Sequence, residues 1–177
     1  MDIRFATAAD AAAVNAIYRP NIEDSSVSFE LTPPTDTAMA ERIRKAIAWL
    51  VWEDEDGVGG YAYASRHRDR PAYRWSVETS VYVHVSRRRH GVGRALYAEL
   101  FGLLVQQGYY TAFAGITLPN AASVGLHEAM GFEPVGVYRK AGFKLGAWRD
   151  VGWWQKALRS YVVPADAPEG CLEKSRA

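Results

Sequence analysis

The chain predicts an α/β domain of mixed α+β type, three layers deep, with a mixed central sheet flanked by helices. Three observations carry that prediction. Stretches of alternating hydrophobicity and of helical periodicity interleave in the order strand, two helices, three strands, helix, strand, helix, two strands. An apolar alternating strand, Val81-Tyr82-Val83-His84-Val85, passes through the basic turn Arg88-Arg89-His90-Gly91-Val92-Gly93-Arg94-Ala95 directly into the cleanest helical pattern. The length, 177 residues, suits a single domain able to bury a sizeable core.

Ile3 to Ala6 reads as a short edge strand. Thr7 is placed to cap a helix through Tyr18, with Ala11, Val14, Ile17 and Tyr18 at helical spacing and Pro20 as its stop. Residues 21–34 are polar with Val27, Phe29 and Leu31 embedded; a connector of this length between helices is more often a functional loop than a passive one. Thr35 or Asp36 caps a second helix that directs Met39, Ile43 and Ile47 to the core. A hairpin follows, Trp49 to Glu53 and Val58 to Ser65, around Glu53-Asp54-Glu55-Asp56-Gly57. After a basic loop, Trp75 to Val85 is the longest strand. Gly91 to Gln107 is the best helix, with Leu96, Leu100, Leu103 and Leu104 as its buried stripe and Gly108 closing it. Tyr109 to Thr117 is a strand, Leu118-Pro119-Asn120 a turn, and Ala121 to Met130 a helix ended by Gly131. Glu133 to Lys140 and Trp148 to Lys156 are two strands joined by 141–146. The domain spans residues 1–158, and 159–177 reads as a loosely held tail.

Apolar residues make up 49% and charged residues 23%, which is ordinary for a soluble globular protein. A formal net charge of +1 provides no global field for nucleic acid or an acidic membrane surface, so neither is expected as a partner. No apolar run approaches the roughly 20 residues that span a bilayer, and Met1-Asp2-Ile3-Arg4-Phe5 lacks a signal-peptide core; a cytoplasmic location is expected. The lone cysteine, Cys171, can form no internal disulfide, which suits a reducing compartment, and its polar surroundings argue against a nucleophile. No metal is expected.

The turn from Arg88 to Ala95 is a phosphate cradle by its chemistry. Backbone N–H groups at a helix start have no intrahelical partners, the helix dipole puts partial positive charge there, and glycines let a pyrophosphate approach the backbone. A nucleoside-triphosphate loop needs a Gly-Lys-Ser/Thr ending that is absent here. A dinucleotide fold needs a third glycine and a place after the first strand, and this turn has neither.

Arg88-x-x-Gly91-x-Gly93 resembles the Gln/Arg-x-x-Gly-x-Gly/Ala motif of the GNAT superfamily of N-acetyltransferases, which holds the acetyl-CoA pyrophosphate. The run from Asn120 to Gly131-Phe132 resembles that superfamily's cofactor-contacting asparagine and the helix after it. More narrowly, Glu78-Thr79-Ser80-Val81-Tyr82-Val83 and Gly142-Phe143-Lys144-Leu145-Gly146-Ala147-Trp148-Arg149-Asp150-Val151 resemble the phosphinothricin acetyltransferase branch, which includes methionine sulfoximine and methionine sulfone acetyltransferases. The likeness runs from about Ile3 to Leu158. It implies the GNAT fold, an acetyl-CoA-dependent N-acetyltransferase, a small-molecule amine or amino acid substrate, and a homodimer. It implies cofactor contacts at Val81, Val83, Arg88, Arg89, His90, Gly91, Val92, Gly93, Arg94, Asn120 and Ser123.

Acetyl transfer to an amine needs a base, because an alkyl ammonium is mostly charged at neutral pH. Glu78, after the apolar Trp75 and Val77, is the candidate base and the one the branch implies; the plainer reading is a carboxylate that pairs with Arg68, Arg70 or Arg74. His127 occupies the slot where the wider superfamily commonly has a tyrosine that protonates the departing thiolate, and imidazole chemistry suits that role. A histidine that only packs on its helix is the alternative, with Tyr82, Tyr97 and Tyr138 as other donors. Arg68, Arg70 and Tyr73 are candidates for binding substrate, since a guanidinium forks onto a carboxylate. Phe29 and Trp75 are candidate walls of the pocket, and Lys144 and Trp148 a lid or a contact with a second subunit. Alternation puts Val81, Val83 and Val85 on one face of their strand and Glu78, Ser80 and Tyr82 on the other. The expected reaction is acetylation of the α-amine of a small amino acid analogue. Acetylation of a polyamine or protein N-terminus, or acyl-CoA binding without catalysis, are the other readings.

Overall fold

The computed structural model describes residues 2–164 and 166–168, so Cys171 lies outside the described residues. The elements are β1 (Asp2–Phe5), α1 (Ala11–Glu23), α2 (Asp36–Lys45), β2 (Ala48–Asp54), β3 (Gly57–Arg66), β4 (Ser76–Val83), α3 (Val92–Gln106), β5 (Thr111–Leu118), α4 (Ala121–Ala129), β6 (Glu133–Lys144) and β7 (Ala147–Ala157), in the predicted order. The strands form one seven-stranded sheet, β1-β2-β3-β4-β5-β7-β6, in which the β4–β5 pair is parallel and the others antiparallel. Among the described residues no helix is long and apolar enough to cross a membrane.

Strand alternation sorts the side chains between two cores. Leu50, Trp52, Ala62, Ala64 and Val77 meet Leu96, Leu100 and Leu104 of α3 on one face. Trp49, Val51 and Tyr61 meet Val14, Ile17 and Ile22 of α1 and Met39 and Ile43 of α2 on the other. Tyr82 packs on the α1–α2 face and Val81 and Val83 on the α3 face, as alternation requires. Val85 does not continue the pattern: β4 ends at Val83, and Val85 starts a short 3₁₀ turn with 69% of its surface exposed.

Pro20 does not end α1. The helix runs to Glu23, because Asn21 and Ile22 beyond the proline are buried and Asn21 Nδ2 donates to the Ile17 carbonyl at 2.9 Å. An interior proline costs about 3 kcal/mol, and full burial of an isoleucine offsets about 1.5–3 of it. Ile47 falls outside α2 in the link to β2, still packed against a core. The last hairpin is tighter than expected, turning at Leu145-Gly146 with Gly146 at φ +72°. In the expected tail, Tyr161 stacks on Tyr110 and its hydroxyl meets Thr111 Oγ1 at 3.1 Å, while Trp75 Nε1 donates to the Asp166 carbonyl at 3.2 Å.

Candidate active site

The turn between β4 and α3 reverses the chain through two residues in the left-handed region, Arg89 at φ +68° and Gly91 at φ +81°. Gly91 is the N-cap and has no side chain to offer, and the first intrahelical bond runs from Ala95 N to Gly91 O at 3.0 Å. The N–H groups of Val92, Gly93 and Arg94 therefore have no helix acceptor and carry the positive end of a 15-residue dipole. Arg88, Arg89, His90 and Arg94 are exposed around them, with Arg88 Nε donating to the Val83 carbonyl at 3.3 Å. Arg87 is excluded from this cluster, since its guanidinium is taken by Asp54 and Asp56. Gly93 is a glycine for packing: a Cβ there would stand 3.1 Å from Leu126 of α4, with Val83 and Val81 also in contact. That close approach brings the start of α3, the inner face of β4 and α4 to one place.

Beside the turn, β4 and β5 part. They pair only at Ser76↔Thr111, Val77↔Ala112 and Glu78↔Phe113; thereafter β4 keeps only β3 and β5 keeps only β7. The backbone of β4 facing the gap, which includes Val81 and Val83, is thus left without a strand partner on that side. A cleft of about 400 Å³ adjoins it, lined by Asn21, Asp24, Ser25, Val27, Val83, His84, Val85 and Arg88. It joins the basic turn to the long connector after α1.

Glu78 stands at the last paired position before the strands part. Its Oε1 accepts from His67 Nδ1 at 3.0 Å and from Arg68 Nη1 at 2.9 Å; among the described residues Oε2 takes no bond. The His67 ring lies flat on Phe113, with centroids 4.2 Å apart and an interplanar angle of 15°, and meets Tyr73 and Trp153 edge-on. Arg68 also spans the Trp153 ring at 5.8 Å. Of the three residues expected to bind substrate here, Arg68 is thus engaged by Glu78. Arg70 is exposed, has no salt-bridge partner among the described residues, and shares a hollow of about 430 Å³ with Arg68, Asp69 and Tyr73.

The connector after α1 lines the cleft through Asp24, Ser25 and Val27. Lys144, on β6, is buried and points inward, its Nζ donating to the Ser28 carbonyl at 2.6 Å. Phe29 leans on Gly142, where any Cβ would stand 2.5 Å from Cε2 of its ring. Ser28 Oγ meets Tyr18 at 2.8 Å, and Glu30 accepts from both Tyr18 and Arg42. Val27 and Phe29, flanking the pinned carbonyl, therefore have fixed positions, Val27 on the cleft and Phe29 against the hairpin. Trp148, in contrast, is 61% exposed.

Asn120 is the N-cap of α4, its Oδ1 accepting from Ser123 N at 3.1 Å. One turn beyond Ser123, His127 is buried, with its Nδ1 against the Ser123 carbonyl at 2.7 Å and its Nε2 against the Tyr97 hydroxyl at 2.9 Å. A carbonyl only accepts, so Nδ1 carries the proton and Nε2 accepts from Tyr97. Burial holds the ring's pKa below the ordinary value and pushes the Tyr97 phenol up. Tyr82 is stacked with Tyr61 and edge-on to Tyr18 within the aromatic core, and Tyr138 is exposed.

The sequence points to Glu78, the turn, Asn120, His127 and, as another donor, Tyr97, but not to His67, Phe113 or Trp153. The missing signal is strand register: Ser65 lies opposite Glu78, so His67, two residues on, falls on the same face. Among the described residues there is no group of three His, Cys, Asp or Glu arranged to hold a metal ion.

This arrangement has close relatives. A family model described as an acetyltransferase (GNAT) domain matches residues 3–153. The chain is 44% identical over 168 residues to a phosphinothricin N-acetyltransferase of Streptomyces viridochromogenes, covering 93% of this chain and 90% of that one. It is 34% identical over 168 residues to an L-methionine sulfoximine/L-methionine sulfone acetyltransferase of Salmonella typhimurium, covering 93% and 98%. Its fold is similar to the crystal structure of a GNAT superfamily phosphinothricin acetyltransferase from Sinorhizobium meliloti in complex with acetyl-CoA, with a TM-score of 0.87, 36% identity and coverage of 96% and 94%. The split between β4 and β5, the basic turn opening α3 and the sequence likeness over nearly the whole fold lead to one conclusion: the chain is an N-acetyltransferase and belongs to the GNAT acetyltransferase family.

Proposed function

We propose that the protein transfers the acetyl group of acetyl-CoA to the α-amine of a small amino acid analogue of the phosphinothricin, methionine sulfoximine or methionine sulfone type. The observation that carries this reading is Glu78 at the mouth of the β4–β5 gap, with Oε1 held by two donors and Oε2 open. The names of the relatives support the substrate class. The bound acetyl-CoA of the Sinorhizobium meliloti structure supports the cosubstrate.

Acetyl-CoA supplies the activated acyl group. The N–H groups of Val92, Gly93 and Arg94, with Arg88, Arg89, His90 and Gly91 around them, fit its pyrophosphate. The backbone of Val81 and Val83 fits the amide-bearing arm in the gap, with Asn120 and Ser123 at the neighbouring helix start. Glu78 takes a proton from the substrate ammonium, directly or through a water, and the neutral amine attacks the thioester carbon. The C–N bond forms, the C–S bond breaks, and the second amine proton is balanced by one delivered to the sulfur. The sulfur takes that proton from solvent: the one proton of the His127 ring faces the Ser123 carbonyl and its Nε2 accepts from Tyr97, so His127 joins α4 to α3 and does not act as the acid. Arg70 takes the substrate carboxylate, Tyr73 borders it, Arg68 bridges Glu78 and the pocket, and Phe29 with Trp153 forms the apolar walls.

The reading includes a homodimer. β6 is an edge strand, and Val135, Val137, Tyr138, Phe143, Leu145 and Trp148 expose large apolar side chains along its hairpin, a surface that suits a second copy of the chain.

The test is release of free thiol from acetyl-CoA with a panel of amines. Turnover confined to amino acids and their analogues supports the proposal. Preference for polyamines or peptide N-termini replaces the substrate class, and acetyl-CoA binding without turnover on any amine turns the protein into a binding module.

A further inference from the structure

We infer that His67 is the positioning residue of Glu78, fixing one carboxylate oxygen so that the other faces the amine; this rests on the acetyl-transfer reading above. β3 leaves the sheet at Arg66, and the Ser65↔Glu78 register carries His67 over the end of the β4–β5 pair. There its ring is held on three sides, flat against Phe113 and edge-on to Tyr73 and Trp153, with 11% of the side chain exposed. A ring so confined has one orientation. In it, Nδ1 lies 3.0 Å from Glu78 Oε1. An ionised carboxylate only accepts, so the imidazole donates from Nδ1.

Arg68 donates to the same oxygen, but its side chain is 46% exposed. A long exposed arginine loses entropy and is screened by solvent when it holds a single geometry, so it does not fix the carboxylate alone. The imidazole, enclosed by three aromatic rings, does. With both donors on Oε1, the oxygen left for proton transfer is Oε2, and its direction is set by the stack of His67 on Phe113. The relation is one of orientation: the imidazole keeps its proton, and no bond to it changes in the reaction.

Two substitutions separate the ring from its hydrogen bond. His67→Phe keeps the stacked ring and removes the donor; His67→Asn removes the ring and leaves an amide N–H near the place of Nδ1. The expected result for His67→Phe is a fall in kcat of about 10- to 100-fold, the size that follows from loss of reacting geometry, with the KM for acetyl-CoA little changed. His67→Asn restores most of kcat. Nitrogen-15 NMR of the substrate-free protein provides a readout independent of turnover: the His67 ring carries its proton on Nδ1 in the wild type and loses that preference in Glu78→Ala. Wild-type kcat in His67→Phe, no recovery in His67→Asn, or a wild-type ring protonated on Nε2 alone overturns the role of His67. A wild type inert toward every amine overturns instead the acetyl-transfer reading on which it rests.

Discussion

The Tyr97 hydroxyl donates to Nε2 of His127 across 2.9 Å, tying α3 to α4 through a buried neutral imidazole. Because burial lowers the folded-state pKa of His127, the unfolded chain binds that proton more readily. Stability contributed by the neutral ring is therefore fully present above the unfolded value of about 6.5 and is lost as pH falls below it toward the lowered folded value. Thermal unfolding measured from pH 8 to pH 5 should show this loss in the wild type. His127→Phe should flatten it and cost about 1–3 kcal/mol at neutral pH, since the Tyr97 hydroxyl is left buried without its acceptor.

Glu78→Gln keeps the shape of the site and removes the base. Turnover at neutral pH should fall about 100-fold or more, with acetyl-CoA affinity nearly unchanged. Steady-state kinetics with cofactor binding measured alongside decides it. Unchanged turnover removes Glu78 from the reaction.

Arg70 is the exposed cation beside Tyr73 without a salt-bridge partner among the described residues, whereas Arg68 is engaged by Glu78. Arg70→Ala should raise the KM for an amino acid acceptor about 10-fold or more, the scale of one charge-assisted hydrogen bond, and raise it much less for the matching decarboxylated amine. Equal effects on the two acceptors would rule out a carboxylate contact.

Lys144 pins the Ser28 carbonyl between Val27, which lines the cleft, and Phe29, which leans on Gly142. Lys144→Met should free the connector, raising the KM for both acceptor and acetyl-CoA by several-fold more than it lowers kcat. Gly142→Ala displaces Phe29 from the same contact and should affect the acceptor KM in the same direction. Because both variants act on one clasp, their effects in the double variant should be less than additive.

The exposed hairpin predicts self-association. The wild type should sediment as a dimer at equilibrium, and Trp148→Glu combined with Val137→Glu, which places charge in an apolar edge, should sediment as a monomer. A wild type already monomeric at micromolar concentration contradicts the dimer.

Much of the fold is legible because side-chain periodicity reports which surface each element buries. Leu96, Leu100 and Leu104 recur at helical spacing and all three are fully buried. Val81 and Val83 alternate with Tyr82 and reach opposite cores. The pattern misleads where burial elsewhere decides. Val85 continues the apolar alternation, yet the chain has already turned toward Arg88. Pro20 is a local stop, yet Ile22 has a buried place beyond it.

The order of elements, the basic turn before α3 and the candidate carboxylate Glu78 are legible in the chain alone, since each rests on neighbours a few residues apart. What those groups touch follows from the packing of distant elements. Glu78 meets His67 through the register of β3 on β4, His127 meets Tyr97 through the approach of two helices, and Lys144 meets Ser28 across 116 positions of chain. Local spacing determines which face a side chain occupies. Which group lies opposite it depends on how separate elements pack, and that information is spread over the whole chain.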